Sequence, residues 1–405
     1  MFINRKNCVT MAAAAALCAA FVCPAAAQPA GPRGPWADPS QAIRVSVAPG
    51  VPLSIVKKDP GRTRVQVQGS LMIIELHCDL TVRNESSQYL RGVTFAILTD
   101  PLATGGRATV ALPSLHVEPD GTFPARLDLR LLRPLPASAD DVIEVNVDGV
   151  LMADLSFHGP DRFNSRRRLT VWEMEADRDR DYFKSLLASG GRDRLQSEMA
   201  ASIKRQSQPR IEARPAELAT AEAGTAVAST TRGDRRAMTA QEQQVALASV
   251  NLAEAPLEVV SGSSAVEGAT AQQPRVTVKN RSPKRVRYFE IGWLVSDRAG
   301  NRYAAGWVPG TRQEVPPGAT ASTVAQRAFV FQAAAASAPR FAIGGMSGYV
   351  SQVEFDDGSF WVPSRRGLEE SKLLDAAPVS AEEQRLTGLY TSRGLNGVIQ
   401  ELEKF

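Results

Sequence analysis

The sequence predicts a mainly β protein: two immunoglobulin-like antiparallel β-sandwiches, joined by a helical and flexible linker and followed by a helical tail. Three observations predict it. First, the stretch VTVKNRSPKRVRYFEIGWLVSDRAG, Val276 to Gly300, has a degenerate copy, LTVRNESSQYLRGVTFAILTD, at Leu80 to Asp100. One offset aligns Asn84 with Asn280, Ser86 with Ser282, Arg91 with Arg287 and Leu98 with Leu294. Second, apolar residues alternate in both copies, Val93, Phe95 and Ile97 answering Phe289, Ile291 and Trp293, the period of a strand with one face buried. Third, short β-like runs punctuated by turn residues fill both regions without helical periodicity, the pattern of an immunoglobulin-type sandwich.

Taken in order, residues 1–27 have the layout of a secretory signal peptide. Arg5 and Lys6 form a basic start, Met11 to Val22 an apolar run too short to span a bilayer, and Ala25, Ala26 and Ala27 a small-residue end before Gln28. Export to the periplasm or the extracellular space is therefore expected. Phe21 and Val22 stand before Cys23 where a lipoprotein signal needs small residues. Cleavage after Ala27 removes Cys8, Cys18 and Cys23, leaves Cys78, and excludes an intramolecular disulfide; Cys78, in the run SLMIIELHCDLTV, reads as a small buried thiol. Residues 28–41, rich in Pro, Gly and Ala, read as a flexible leader.

The first sandwich is placed at 42–160, with strand candidates IRVSV, PLSIV, RVQVQ, MIIELHCDLTV, ATVAL, ARLDLRLL and VIEVNV, a turn at Glu118 to Gly121 and a hairpin signal at Asp148-Gly149. The second, at 249–363, recovers the same order. PLEVV at Pro256 to Val260 answers PLSIV at Pro52 to Val56, Pro316 to Gly318 answers Pro119 to Gly121, and Asp357-Gly358 answers Asp148-Gly149. The paired cysteines of antibody domains are absent, so the likeness is one of architecture.

Between them, 161–206 is charged and helix-prone, with Tyr182, Phe183, Leu186 and Leu187 on one face, Leu195, Met199 and Ile203 at four-residue spacing, and Gly190-Gly191 as a break. Residues 207–248, rich in Ala, Thr, Glu and Gln, read as a flexible or partly helical linker; the tripeptide Arg232-Gly233-Asp234 within it is read as a chance match to an adhesion motif. The tail, 364–405, carries a capping-box pattern at Ser380 and Glu383, an apolar face at Leu386, Leu389 and Tyr390, and a second helical turn from Leu395 to Leu402, spacing that predicts packing on a neighbouring domain.

The balance of 47 basic and 43 acidic residues falls from +4 to +2 when Arg5 and Lys6 are removed, which argues against a nucleic-acid partner. Arg166 to Arg168, followed by the mixed-sign run Glu173 to Asp181, reads as a solvated face. No later stretch is apolar enough for a transmembrane helix after signal cleavage. His77, His116 and His158 stand apart from one another, and His77 and Cys78 point to opposite faces of their strand. Gly344 to Gly348 resembles a nucleophile elbow but lacks its last glycine, and reads as a tight connection between strands. The aspartates at Asp356-Asp357 and at Asp177, Asp179 and Asp181 lack the spacing of a calcium loop, so no metal or cofactor is expected.

The run from Val276 to Tyr303, a hydrophobic strand, Asn280, a polar turn, an alternating strand, then Asp297 and Gly300, resembles the small bacterial β-sandwich modules known as FxLYD-type domains, with Ser296 where the family name implies an aromatic. That resemblance implies an immunoglobulin-like fold in an exported protein and a binding or spacer role without catalytic residues. The expectation is a non-catalytic binding or structural protein of the bacterial envelope whose partner is a protein or other envelope macromolecule. The second copy is the favoured surface, through Arg285, Arg287 and Glu290 as exposed strand residues and Trp307 and Trp361 in turns. The alternative is a secreted or periplasmic hydrolase with a site assembled from distant loops.

Overall fold

The computed structural model describes residues 43–99, 106–135, 143–208, 211–215, 243–308, 312–324, 328–333, 341–377 and 379–405. The expected signal peptide, the leader and the Arg232-Gly233-Asp234 tripeptide lie outside them. The protein is mainly β, and the described residues form four sheets and a C-terminal helix.

Among the described residues nine strands precede the first helix: β1 Ile43–Ser46, β2 Leu53–Asp59, β3 Arg64–Gln68, β4 Leu71–Asn84, β5 Leu90–Leu98, β6 Arg107–Leu112, β7 Thr122–Pro134, β8 Ile143–Met152 and β9 Phe157–His158. One sheet runs β1-β8-β5-β6 with β9 beside β8; in the other, β2, β3 and β7 pair with the long β4. Inward residues of both sheets, among them Leu76, Leu80, Phe95, Ile97, Leu127 and Val145, form one buried cluster. After α1 (Ser165–Gln206) come β10 Ile211–Pro215, β11 Gln243–Ala246, β12 Ala248–Ser249, β13 Leu257–Glu267, β14 Thr270–Asn280, β15 Val286–Asp297, β16 Arg302–Val308, β17 Arg312–Val315, β18 Thr320–Val324, β19 Phe329–Ala333, β20 Ile343–Phe355 and β21 Phe360–Trp361, then α2 (Arg365–Glu370) and α3 (Ala381–Leu402). Their sheets run β12-β20-β15-β16 and β10-β19-β14-β13-β11, over a second cluster that includes Val278, Phe289, Trp293, Phe331 and Val353. β10 and β11 fall within the stretch expected as linker. They pair with β19 and β13.

The repeat extends to individual hydrogen bonds. Asn84 and Asn280 are fully buried, and each satisfies the chain around it in the same way. Asn84 Nδ2 donates to the carbonyls of Gln88 (2.8 Å) and Val117 (3.1 Å), and Asn280 Nδ2 to those of Lys284 and Val315 (both 2.8 Å). Ser86 and Ser282 each donate a hydroxyl back to the amide oxygen of their asparagine. The first strands carry an irregularity at equivalent places, Ile55/Lys57 and Val259/Ser261, and β1 and β12 both run parallel to their neighbours.

The register corrects three sequence readings. Asp120 N–H and Gly318 N–H donate to the carbonyls of Asn84 and Asn280, so Pro317, not Pro316, answers Pro119. Asp148-Gly149 is no hairpin: it lies inside β8, where the pairing with β5 slips by one residue between Thr94 and Phe95. The hairpin that answers Asp357-Gly358 is Asp154-Leu155, because Met152 N–H bonds Ser156 O as Phe355 N–H bonds Ser359 O. Gly344 to Gly348, expected as a connection, lies inside β20.

The bulged Asp148 organises the entry to α1. Its buried carboxylate accepts the Arg162 and Phe163 amides at 2.9 and 3.1 Å and the Ser165 hydroxyl. The helix starts at Ser165 and is interrupted at Gly191, whose φ of 64° is left-handed. Phe183, Leu186, Leu195 and Met199 pack against Leu386, Val398 and Leu402 of α3, and Ile203 remains exposed. Ser380 caps α3 by accepting the Glu383 amide at 3.0 Å, and Gly394 (φ 68°) breaks it before Leu395.

The run Glu173 to Asp181 is the largest correction. Asp177 faces solvent, but Asp179 and Arg180 are buried, at 0% and 1% exposure. Arg180 bonds Glu173 at 2.6 Å and lies 3.5 Å from Glu382, while Asp179 is held by Arg178 and by Ser380. Arg365 reaches Glu383 at 2.7 Å and Arg205 reaches it at 2.8 Å. Interleaved charges that look like a solvated face are an internal lattice of ion pairs. They couple α1 to the tail.

Candidate functional site

Alternation along β15 sends Phe289, Ile291 and Trp293 into the core. The opposite face is not free: Tyr288, Glu290 and Leu294 are buried as well. Glu290, expected to be exposed, is 6% exposed. A strand-period pattern fixes which residues share a face and says nothing of what lies over the other face, here α1 and the tail.

A cleft of about 280 Å³ remains between that face and the first turns of α1. The helix contributes Asn164, Arg167, Arg168, Val171, Trp172 and Glu175, a series at three- and four-residue spacing. β15 contributes Tyr288 and Glu290, and β20 contributes Ser351 and Gln352. The β15–β20 register slips between Glu290/Gln352 and Ile291/Val350, which makes Ser351 an extra residue. Such a bulge re-aims side chains, and both Ser351 and Gln352 line the cleft. A smaller cavity of about 140 Å³ shares Trp172, Glu175 and Ser351 and reaches Tyr349 and Ser380.

The cations on the wall are engaged by the fold. Arg167 Nε donates to Glu354 at 2.8 Å, and its guanidinium lies 3.5 Å from the centroid of the Tyr288 ring. Arg168 donates to Thr109 Oγ1 and the Phe163 carbonyl, both at 3.1 Å. Arg166, third of that basic run, donates to the Gly358 carbonyl at 3.1 Å. The run read as solvated therefore ties α1 to both halves of the chain.

The acceptors are less well served. Burial raises the Glu290 carboxyl above its usual range, against hydrogen bonds from Tyr288 and Gln352 and the charge of Arg167. Burial pushes Glu175 up to about 7, opposed by Arg178 and reinforced by Asp179 and Glu290. Among the described residues Gln352 Oε1 and Ser351 Oγ are buried without a hydrogen-bond partner.

Of the other residues expected at a site, Arg285 is exposed and lies 3.3 Å from Glu314 and 3.8 Å from Asp356. Arg287 is half-exposed and lies 3.8 Å from Glu354, the carboxylate that also holds Arg167. Trp361 lies in β21, half-buried against the second core. Trp307 lies in β16, and its side chain is outside the described residues. Sequence reasoning singles out neither Trp172 nor Gln352, and it places Arg167 and Glu175 in runs read as a solvated face. The one available signal was the helical spacing of Arg167 or Arg168, Trp172 and Glu175.

The His77–Asp128 pair, 2.8 Å apart, lies on an exposed tray with Asp79 and Arg126, whose charges pair with each other. Among the described residues no serine or cysteine is hydrogen-bonded to a histidine, and no three His, Cys, Asp or Glu converge on a metal position. Cys78 is buried, which pushes its thiol up to about 11. No helix among the described residues is long and apolar enough to cross a membrane.

No family model matches the sequence, and no curated protein matches it. Two solved structures are similar at 9% identity. Red sea bream transglutaminase aligns with 72% of this chain at a TM-score of 0.11, the chain spanning 31% of that protein's length. A chain named pT26-6p aligns with 86% of this chain and 72% of its own at a TM-score of 0.13. Neither likeness carries an argument about fold or activity.

Proposed function

We propose that this chain is an exported, non-catalytic binding or spacer protein of the bacterial envelope, built from two immunoglobulin-like sandwiches that a helical brace holds at a fixed distance. The observation that carries the reading is the brace. Arg167 bonds Glu354 of β20, Arg168 bonds Thr109 of β6, and both arginines belong to the first turn of α1. The buried Asp179 and Arg180 then join that helix to the tail. Buried ion pairs are costly unless fully bonded, and their best-attested use is to specify one arrangement among several. A chain that invests them between its β units is suited to presenting two surfaces in one geometry. The partner is a protein or another envelope macromolecule, met on the second β unit around Arg287 and the cleft.

The test is crosslinking in intact cells, with a photoreactive residue at Arg287 and, as a control, at Arg126 on the self-paired tray of the first β unit. A discrete adduct from Arg287 alone, together with recovery of a chain beginning at Gln28 from the exported fraction, is the expected result. Equal labelling from both positions, or retention of the chain in the cytoplasm, refutes the reading.

A further inference from the structure

We propose that the cleft between α1 and the β15–β20 face receives a protonated amine or guanidinium group, with the Glu175 carboxylate as its acceptor and Trp172 as its aromatic wall. This deepens the binding reading above, on which it rests for any macromolecular partner.

The cations around the cleft are engaged by the fold, and one carboxylate is not. Arg167 and Arg168 are the cations of the wall, and both are spent on Glu354, Thr109 and the Phe163 carbonyl. Arg178, beside Glu175, grips both oxygens of Asp179 at 2.9 and 3.0 Å and also bonds the Pro363 carbonyl. What is left without a partner is a carboxylate: Glu175, which lines both cavities, takes no hydrogen bond from any described residue.

A carboxylate that lines a half-enclosed cleft without a hydrogen-bond partner calls for a reason, and a ligand that only donates supplies one. A positive ligand also offsets the burial of Glu175 and Glu290, which a neutral donor does not. Trp172 lines both cavities and adds an aromatic face, the surface on which cations are held best. A space of about 280 Å³ is near the roughly 300 Å³ lower end of small-molecule sites, which suits a single headgroup with a short alkyl stem. That headgroup belongs either to a free small amine or to a Lys or Arg side chain of a partner.

The full exported chain is titrated by calorimetry with n-butylammonium, n-butylguanidinium and the neutral n-butanol, and with capped tripeptides bearing Lys, Arg or norleucine at the centre. Saturable binding of the cations, at least tenfold tighter than n-butanol, is expected. Glu175→Gln, which keeps the shape and removes the charge, is expected to weaken that binding at least tenfold while the protein stays folded by circular dichroism. Tighter binding of the Lys or Arg tripeptide than of the free cation identifies a protein source, and the reverse identifies a free amine. Equal binding of n-butanol, no saturable binding of either cation, or no effect of Glu175→Gln overturns the proposal. Cation binding that persists when Arg287 captures no partner in cells refutes the partner reading and leaves the cleft standing; partner capture without cation binding does the opposite.

Discussion

Replacing Glu175 by Gln should stabilise the protein, and only at neutral to alkaline pH. The ordinary value of the carboxyl is 4.5, and burial beside Asp179 and Glu290 pushes it up to about 7. The folded chain therefore retains a proton that the unfolded chain has already released. Below the unfolded value both states are protonated and there is no cost. The cost grows as pH rises from 4.5 to about 7 and is constant beyond it. At about 1.4 kcal/mol per pH unit it reaches an upper bound of about 3.5 kcal/mol, and the opening of the cleft to solvent reduces this to about 1–2 kcal/mol. Glutamine has the same shape and no charge to bury. Urea unfolding at pH 8 should show Glu175→Gln more stable by about 1–2 kcal/mol, with no difference at pH 4. An equal change at both pH values, or destabilisation at pH 8, refutes the reasoning, since either places the effect in packing and not in buried charge.

Other perturbations test the framework. Asn84→Ala and Asn280→Ala each strip donors from buried carbonyls at matching places, so each should cost about 1–3 kcal/mol in chemical unfolding; a large effect at only one site contradicts their equivalence. Arg180→Met leaves the buried Glu173 and Glu382 without their shared cation and should cost about 3–5 kcal/mol at pH 7, with a smaller loss at pH 4 where Glu173, whose carboxyl burial holds above its usual range, accepts a proton. Cys78, buried and with a thiol pushed up to about 11, should resist a thiol reagent at pH 8 in the native protein and react once urea unfolds it; rapid native labelling contradicts the buried position.

What was legible from sequence follows from which interactions are local. The Asn84/Asn280 repeat, the strands at Pro52 and Pro256, the core place of Trp293, the buried Cys78, the break at Gly190-Gly191 and the Ser380 cap each depend on nearby residues or on strand period. Their signals survive in a short window. The cap was half legible: Ser380 accepts the Glu383 amide as the pattern requires, but the Glu383 carboxylate turns to Arg365, Arg205 and Ser202. The misreadings share one cause. Glu290, Asp179, Arg180 and the Arg166 to Arg168 run are polar residues that sequence reasoning places in water because their local partners, such as Tyr288 for Glu290 and Arg178 for Asp179, do not reveal what covers them. The partners that bury them are distant: Arg167 meets Glu354, and Asp179 also meets Ser380. Trp172, Glu175 and Gln352 were missed for the same reason, since the cleft exists only when α1 lies across β15 and β20.

The divergence of the two copies explains why the cleft belongs to the second. On the constant offset of the repeat, the outward positions of β5 are Gly92, Thr94 and Ala96, and those of β15 are Tyr288, Glu290 and Gly292. All are covered, but at different distances. Beside Gly92 the helix comes so close that a Cβ there would stand 2.9 Å from Leu169, so the small residues of the first copy let α1 seat directly on the sheet. In the second copy Tyr288 stands in the place of Gly92 and Glu290 in that of Thr94. Side chains of that length cannot be compressed under a helix, so they hold it off the sheet, and the Arg167 guanidinium lies over the Tyr288 ring in the space so made. A gap of this kind fills with packed apolar residues when a sequence is selected for stability alone. Here it is lined by Glu175, Glu290, Ser351 and Gln352, two of them with unpartnered buried atoms. Packing alone supplies no reason for an unpartnered Glu175 carboxylate in that gap, whereas a bound donor does.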